Sequence, residues 1–344
     1  AESHWEGNQL FEIVALLASS GSLLEVVGVP AAPTVVAVGE APPAVLDRMM
    51  LDRTPVPAGG PAVDPATHVD RFQGIAFLDR LAALPYGQVR GYLSARPGAV
   101  AELLASPPAA ADVAAWWASA PPATRSALVA AAPQLGNLEG MPYAIRDSAN
   151  RTALREATAA LEQRLAGPLG RAERDELEAR QHMLAQIEQA LVADDHPRWL
   201  VSVDVTGEGR AVIAVGDLAR ADYVSYLVPG MFFGVDAQIV PWTDTAEDLV
   251  HDQEHWLRAL RPGESATVAA VAWIGYRTPS LVNVASLELA REGRDAFTAS
   301  LGGLRAARGA EQPYLSVLAH SYGSTAVLLA LEEHDVRVDA LAMV

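Results

Sequence analysis

The sequence contains no cysteine, and its 25 basic residues are all arginine. The first absence excludes disulfides, thiolate metal sites and a cysteine nucleophile together. It leaves the compartment open, because a cysteine-free chain folds equally well in reducing and oxidising surroundings. Positive charge is scarce as well. A formal net charge of -17 at pH 7 argues against nucleic acid and against an anionic membrane surface as partners, since both repel an acidic protein. Long apolar runs are missing too. The nearest approach, Leu10 to Val29, is interrupted by Glu12 and Glu25 and diluted by Ser19, Ser20 and Ser22. A spanning helix needs about 20 predominantly apolar residues, so this stretch reads as a soluble helix and no transmembrane segment is expected. No positively charged region precedes it, unlike an intact signal peptide. The chain opens on Ala1, which fits a trimmed tag, an excised domain or a mature secreted product equally. Localisation therefore stays open between cytoplasm and secretion.

What is present is globular in composition: 51% hydrophobic and 19% charged residues over 344 positions, enough for one large domain or two ordinary ones. Residues 1–111 read as helical patches and linkers, with proline-rich stretches at Pro30 to Pro33 and Pro55 to Pro65. Residues 112–196 read as a helical module. Ser119 before Pro121-Pro122 looks like an N-cap with proline in the first turn, and two long helices are predicted over Tyr143 to Ala166 and Arg171 to Ala193. Residues 197–344 change period. Trp199 to Val205 and Ala211 to Val215 flank a Gly-containing turn and read as a hairpin. Strands at Tyr223 to Val228, Thr267 to Trp273, Tyr314 to Leu318 and Val338 to Val344 then alternate with helices at Thr245 to Leu260, Val284 to Ala307 and after Ser324. That alternation predicts an α/β fold, doubly wound around a mostly parallel sheet, with ligands beyond the carboxyl ends of the strands.

At one of those ends stands Ala319-His320-Ser321-Tyr322-Gly323, followed by an apolar helix. This is the small-x-Ser-x-small pattern of a nucleophile elbow. The turn from strand to helix is so tight that the positions two before and two after the serine must be small. The same turn starts a helix, so the Tyr322 amide is expected to point where an oxyanion forms. A second donor is assigned to the Met231 amide, in the loop Leu227 to Gly234 that leaves the third strand. The plain alternatives are an ordinary strand-to-helix turn and an ordinary Gly/Pro turn.

Several separated motifs occur in order: Trp116-Trp117, Gly136 to Pro142, Arg146 to Arg151, Gly216-Asp217-Leu218, Ala221 to Val224, Val228 to Met231, Trp273 to Tyr276 and His320 to Ser324. In these the chain resembles an actinobacterial α/β-hydrolase family over residues 112–344. The resemblance implies a serine hydrolase of esterase or lipase type, with a small-molecule acyl or ester substrate and no cofactor. Two positions depart from that pattern. Ala319 replaces a glycine, which the steric rule tolerates, and Arg277 stands where an acidic residue is expected, altering the polarity of the pocket rim.

In such a fold the triad runs Ser, acid, His along the chain, yet only 23 residues follow Ser321. Glu332, Glu333, Asp335, Asp339 and His334 are expected at the wrong edge of the sheet, and His320 is locked beside the serine. The C-terminal strands and the triad's acid and base are therefore expected from a C-terminal fragment or a second chain, and the 344 residues alone are expected to lack full activity. A second reading is a non-catalytic binding or assembly protein that keeps the fold. A third is a zinc metalloprotease, because His251-Asp252-Gln253-Glu254-His255 fits H-x-x-E-H. Leu249, Val250, Trp256, Leu257 and Leu260 are expected on the core side of that helix, however, leaving His251 and His255 on a polar face. No metal ligand is assigned. Asp194-Asp195-His196 reads as a solvated linker, Trp116-Trp117 as a packing anchor, and Arg171 to Arg180 as a solvent-facing helix surface. The helical module, placed before the sheet, is a candidate cover for the pocket mouth.

Overall fold

Valine, isoleucine and alanine fill the strand segments of the C-terminal half, and a strand apolar on both sides must be covered on both. A computed structural model describes residues 69 and 71–344 apart from 264, 334 and 335. The expected helix at 10–29, the linkers at 30–65 and His334 lie outside the described residues. Six strands, β1 (Arg198–Asp204), β2 (Arg210–Val215), β3 (Tyr223–Val228), β4 (Val268–Ile274), β5 (Tyr314–Ala319) and β6 (Ala340–Met343), make one sheet in the order β1-β2-β4-β3-β5-β6. The sheet is mixed. β2 runs antiparallel to β1 and β4, whereas β4, β3, β5 and β6 pair in parallel. All seven residues of β4 are buried.

Alternation along the strands divides the core into two faces. Ala270, Ala272 and Ile274 join Ile213, Leu227 and Leu318 on one face. Ala269, Val271 and Trp273 join Ala214, Tyr226 and Val317 on the other. The helices before the sheet are α1 (Gly74–Ala82), α2 (Tyr86–Ala95), α3 (Ala99–Ala105), α4 (Ala110–Ser119), α5 (Pro122–Ala131), α6 (Tyr143–Leu165) and α7 (Arg171–Ala190). Those after it begins are α8 (Val235–Leu260), α9 (Glu288–Arg308) and α10 (Tyr322–Glu333). The first face takes Leu184 and Ile187 of α7 with Ile239, Leu249 and Val250 of α8. The second takes Phe297 and Leu301 of α9 with Val327 and Ala330 of α10.

A third cluster runs continuously from Val69 to Met141, across residue 111, and contains Trp116 and Trp117. Both tryptophans are buried there, Trp116 donating to Asp79 at 2.9 Å.

Three element limits differ from expectation. The helix read from Thr245 starts at Val235 and carries Pro241 in its second turn. Proline there removes the bond to the Ala237 carbonyl and crowds it with its ring; around it the Thr243 and Thr245 hydroxyls bond the carbonyls of Ile239 and Pro241 at 2.7 and 2.9 Å. The helix read from Val284 begins at Glu288, because Asn283 closes a turn on Ser280 instead, its Oδ1 accepting from the Ser280 amide at 2.8 Å. The cap position of α5 is Pro121, and the Ser119 hydroxyl turns back to the Trp116 carbonyl at 2.8 Å.

The motifs at 136–151 have a structural role. β1 is an edge strand, and an edge leaves a row of backbone groups unpaired. Side chains of the helical module take those groups up. Asn137 donates to the Val203 carbonyl and accepts from its amide, both at 2.9 Å. Asp147 accepts from the Leu200 amide at 2.7 Å, and Arg151 donates to the Arg198 carbonyl at 2.6 Å. At the irregularity between Leu200 and Ser202, the Val201 carbonyl accepts from Arg146 at 3.0 Å and Asn150 at 2.9 Å. Arg146 is 1% exposed and forks onto both carboxylate oxygens of Glu139.

Candidate active site

β5 delivers the chain to Ser321, and α10 begins at the next residue. Ser321 has φ 51°, one of two non-glycine residues with positive φ among those described. That region suits few L-residues, and here it turns the side chain outward: Ser321 is exposed between buried Ala319 and buried Tyr322. The neighbouring amides are committed. His320 donates to the Val228 carbonyl at 2.9 Å, Ser321 to Val344 at 2.7 Å, Gly323 to His320 at 2.9 Å and Ser324 to Ser321 at 3.0 Å. Among the described residues the Tyr322 amide, at the first position of α10, donates to no backbone carbonyl, and neither does that of Met231. An unpaired amide at a helix start is a ready donor to an anion.

The loop after β3 lies directly against this turn. A Cβ on Gly230 would stand 2.7 Å from the Ser321 Cβ and 2.9 Å from His320 Nδ1. A Cβ on Gly323 would stand 2.5 Å from the Pro229 carbonyl oxygen. Both glycines are thus needed for the two backbones to meet. The loop is further pinned from the connection after β4. Tyr276 donates its hydroxyl to the Pro229 carbonyl at 2.8 Å, the Phe232 amide bonds the Pro279 carbonyl at 3.0 Å, and Thr278 bonds the Phe233 carbonyl at 3.2 Å. Burial, with Tyr322 nearby, holds the Tyr276 phenol well above its ordinary pKa, so it remains a donor. Tyr322 is anchored in turn, its hydroxyl donating to the Ser286 carbonyl and accepting from the Ala290 amide. Phe232 and Arg277 are both exposed beside the loop.

His320 packs its ring 6.0 Å from Phe233, and its buried Nδ1 has no hydrogen-bond partner among the described residues. Asp339 lies at the far end of the strands, accepting from the Leu315 amide at 2.7 Å. Glu333 pairs with Arg294 on the surface. The described contacts of the helical module run to β1, to α8 and to α9, and β2, β4 and β3 lie between β1 and β5.

The HDQEH segment on α8 is divided among different partners. Gln253 faces inward, donating to the Ser225 hydroxyl at 2.8 Å. His255 is exposed, with Trp256 5.6 Å away. Glu254 approaches His196 Nε2 at 3.2 Å. Of the segment read as a solvated linker, Asp194 and Asp195 are exposed, but His196 folds back onto α8, because Glu247, 4% exposed, accepts from the His196 amide at 3.1 Å and meets its Nδ1 at 2.6 Å. His251 Nε2 faces Asp195 at 3.1 Å and Glu247 at 3.9 Å. One atom each from His196, Glu247 and His251 lie within 4.8 Å of one another. Sequence spacing could not reveal this group, since its halves stand 51 residues apart; only Glu247 and His251, four apart on one helix, share a local signature.

Residues 204–344 match a family model described as alpha/beta hydrolase. Two uncharacterized proteins of Mycobacterium tuberculosis, from strains CDC 1551 / Oshkosh and ATCC 25618 / H37Rv, are similar to this chain. Each is 28% identical over 246 residues, covering 63% of this chain and 36% of the relative. The chain therefore spans about a third of the length of the curated relatives it matches. No solved structure matches. Among the described residues no helix is long and apolar enough to cross a membrane.

Proposed function

We propose that this chain carries the nucleophile and oxyanion donors of a serine hydrolase that cleaves a carboxylic ester or related acyl bond of a small molecule. The observation that carries the reading is Ser321 itself, held at φ 51° and exposed on a strand-to-helix turn with the Pro229–Met231 loop against it. The Ser321 hydroxyl oxygen attacks the acyl carbonyl while a general base takes its proton. The negative oxygen of the tetrahedral intermediate is met by the Tyr322 and Met231 amides, where fixed dipoles act without reorganising. Collapse expels the alcohol, which leaves with that proton, and water then releases the acid from Ser321. The base and its orienting acid belong, in this reading, to sequence outside these 344 residues, in a C-terminal fragment or a second chain.

The test is intact-mass spectrometry after incubation with a fluorophosphonate probe, native beside Ser321→Ala. Oxyanion donors without a base retain a residual rate, so a single adduct is expected, slow to form and absent from the variant. No adduct after prolonged incubation with excess probe, or equal yield in Ser321→Ala, overturns the assignment.

A further inference from the structure

We propose that His196 Nδ1, Glu247 Oε1 and His251 Nε2 form a binding site for one zinc-like transition-metal ion, remote from Ser321 and structural in effect, with the exposed Asp195 carboxylate beside His251 or a water as the fourth ligand. Imidazole nitrogen with carboxylate oxygen is the donor set of a borderline ion such as Zn²⁺, whereas calcium and magnesium prefer all-oxygen shells. Tetrahedral bonds of about 2.1 Å place ligand atoms roughly 3.4 Å apart. The three ligand atoms lie within 4.8 Å of one another, His196 Nδ1 at 2.6 Å and His251 Nε2 at 3.9 Å from Glu247 Oε1. These separations fall on both sides of that edge, and small side-chain rotations would bring the set onto an ion, while Asp195 Oδ2 stands 3.1 Å from His251 Nε2.

The surroundings are built as a metal's outer contacts are built. A ligating histidine usually gives its other ring nitrogen to a carboxylate, and a ligating carboxylate is itself hydrogen-bonded. His196 Nε2 faces Glu254 Oε1 at 3.2 Å, and Glu247 Oε2 accepts from Arg198 Nε at 3.3 Å, while Oε1 accepts from the His196 amide at 3.1 Å and keeps its second lone pair for the ion. Arg198 also reaches Asp244 at 3.1 Å, and Arg258 reaches Glu254 at 3.5 Å. The carboxylates of Asp195, Asp244, Glu247 and Glu254 thus outnumber the two guanidiniums, an excess of negative charge that a dication would reduce.

Position separates this site from the hydrolytic one. Arg198 opens β1 and pairs with Val215 at the close of β2, which places the cluster at the amino ends of the parallel strands, while Ser321 follows the carboxyl end of β5. The site joins the segment between α7 and β1 to the middle of α8. An ion bound there would clamp the exit of the helical module onto the sheet's helix cover and stabilise the fold by mass action. It differs from an ion held by the H-x-x-E-H pair, because His255 takes no part.

The experiment uses the tag-free full chain, stripped with a chelator and titrated with Zn²⁺ by calorimetry and with Co²⁺ by visible absorption. One ion per chain, a tetrahedral Co²⁺ spectrum and a raised melting temperature are expected. His251→Gln, at a half-exposed position where folding is retained by far-UV circular dichroism, should weaken binding by at least about tenfold, and His196→Gln likewise. His255→Gln should bind as the native chain does, and none of the three should alter fluorophosphonate labelling of Ser321. Absence of binding at tens of micromolar Zn²⁺ overturns the proposal. So does a loss in His255→Gln equal to that in His251→Gln, which would assign the ion to the helix pair.

Discussion

Holding a non-glycine residue at φ 51° costs of order 1–3 kcal/mol, and at Ser321 the hydrogen bonds on either side meet that cost. The flanking small residues were legible in sequence because the steric demand is local: strand period, serine, glycine two on, helix. What sequence did not reveal is where the demand comes from. Gly323 is small because the Pro229 carbonyl oxygen would stand 2.5 Å from its Cβ, and Gly230 because Ser321 and His320 crowd it. Carbonyl oxygen is backbone and cannot swing aside, so Gly323→Ala must part the loop from the turn at Ser321 and carry the Met231 amide away from the oxyanion position proposed for it. The expected result is a labelling rate lowered by about a hundredfold or more, the scale on which one oxyanion donor acts, with the circular dichroism spectrum retained. Probe kinetics on native and variant protein check it. An unchanged rate would detach the loop from the site.

Elements were legible where their signal is periodic, and their order was not. Alternation of strand and helix identified β3, β4 and β5, but nothing local says that β4 inserts between β2 and β3, because strand order is decided by which faces bury together. The devices that fix it lie at strand entrances. Asp222 accepts from the Thr267 amide at 2.8 Å and from its hydroxyl at 2.9 Å, while its own carbonyl accepts from the Tyr314 amide at 2.8 Å; one residue thereby registers β3 against β4 and β5. Those bonds from the Thr267 backbone and side chain hold the Asp222 carboxyl below its ordinary value of 3.8. A depressed folded-state value contributes stability that is fully present above the unfolded-state value and is lost as pH falls through the folded-state one. Asp222→Asn removes the charge at every pH. The gap in urea midpoint between native and variant should therefore be constant above about pH 5 and narrow progressively as the pH falls below the ordinary carboxylate range. A gap independent of pH would show that the geometry, and not the charge, secures the strand entrances.

At the scale of the molecule, two bodies of core meet along one strand. Residues Val69 to Met141 enclose their own cluster, the sheet encloses two others, and the link between them is the outer edge of β1 together with the contact of α4 on α9. Asn137, Arg146, Asp147, Asn150 and Arg151 act there as a strand made of side chains, which is why motifs of polar residues recur in a segment otherwise read only as helical. Periodicity finds amphipathic faces, and these residues bond to backbone, so their purpose was invisible without the partner edge. Arg146 is the keystone, fully enclosed and bonded at once to Glu139, Gly136 and Val201. Breaking a buried ion pair from one side costs about 3–5 kcal/mol, because the other charge is left uncompensated. Arg146→Ala leaves the Glu139 carboxylate and the Val201 carbonyl without that partner, and the loss falls on the junction and on neither core. Native protein should unfold in urea with coincident fluorescence and circular dichroism transitions, the mark of a single cooperative unit. Arg146→Ala should unfold earlier, with the two signals separated as the helical body detaches before the sheet melts. Arg146→Lys keeps the charge but not the planar fork, and should fall between. A variant that melts earlier but still in one step would mean that α4 on α9 is enough to keep the two bodies coupled.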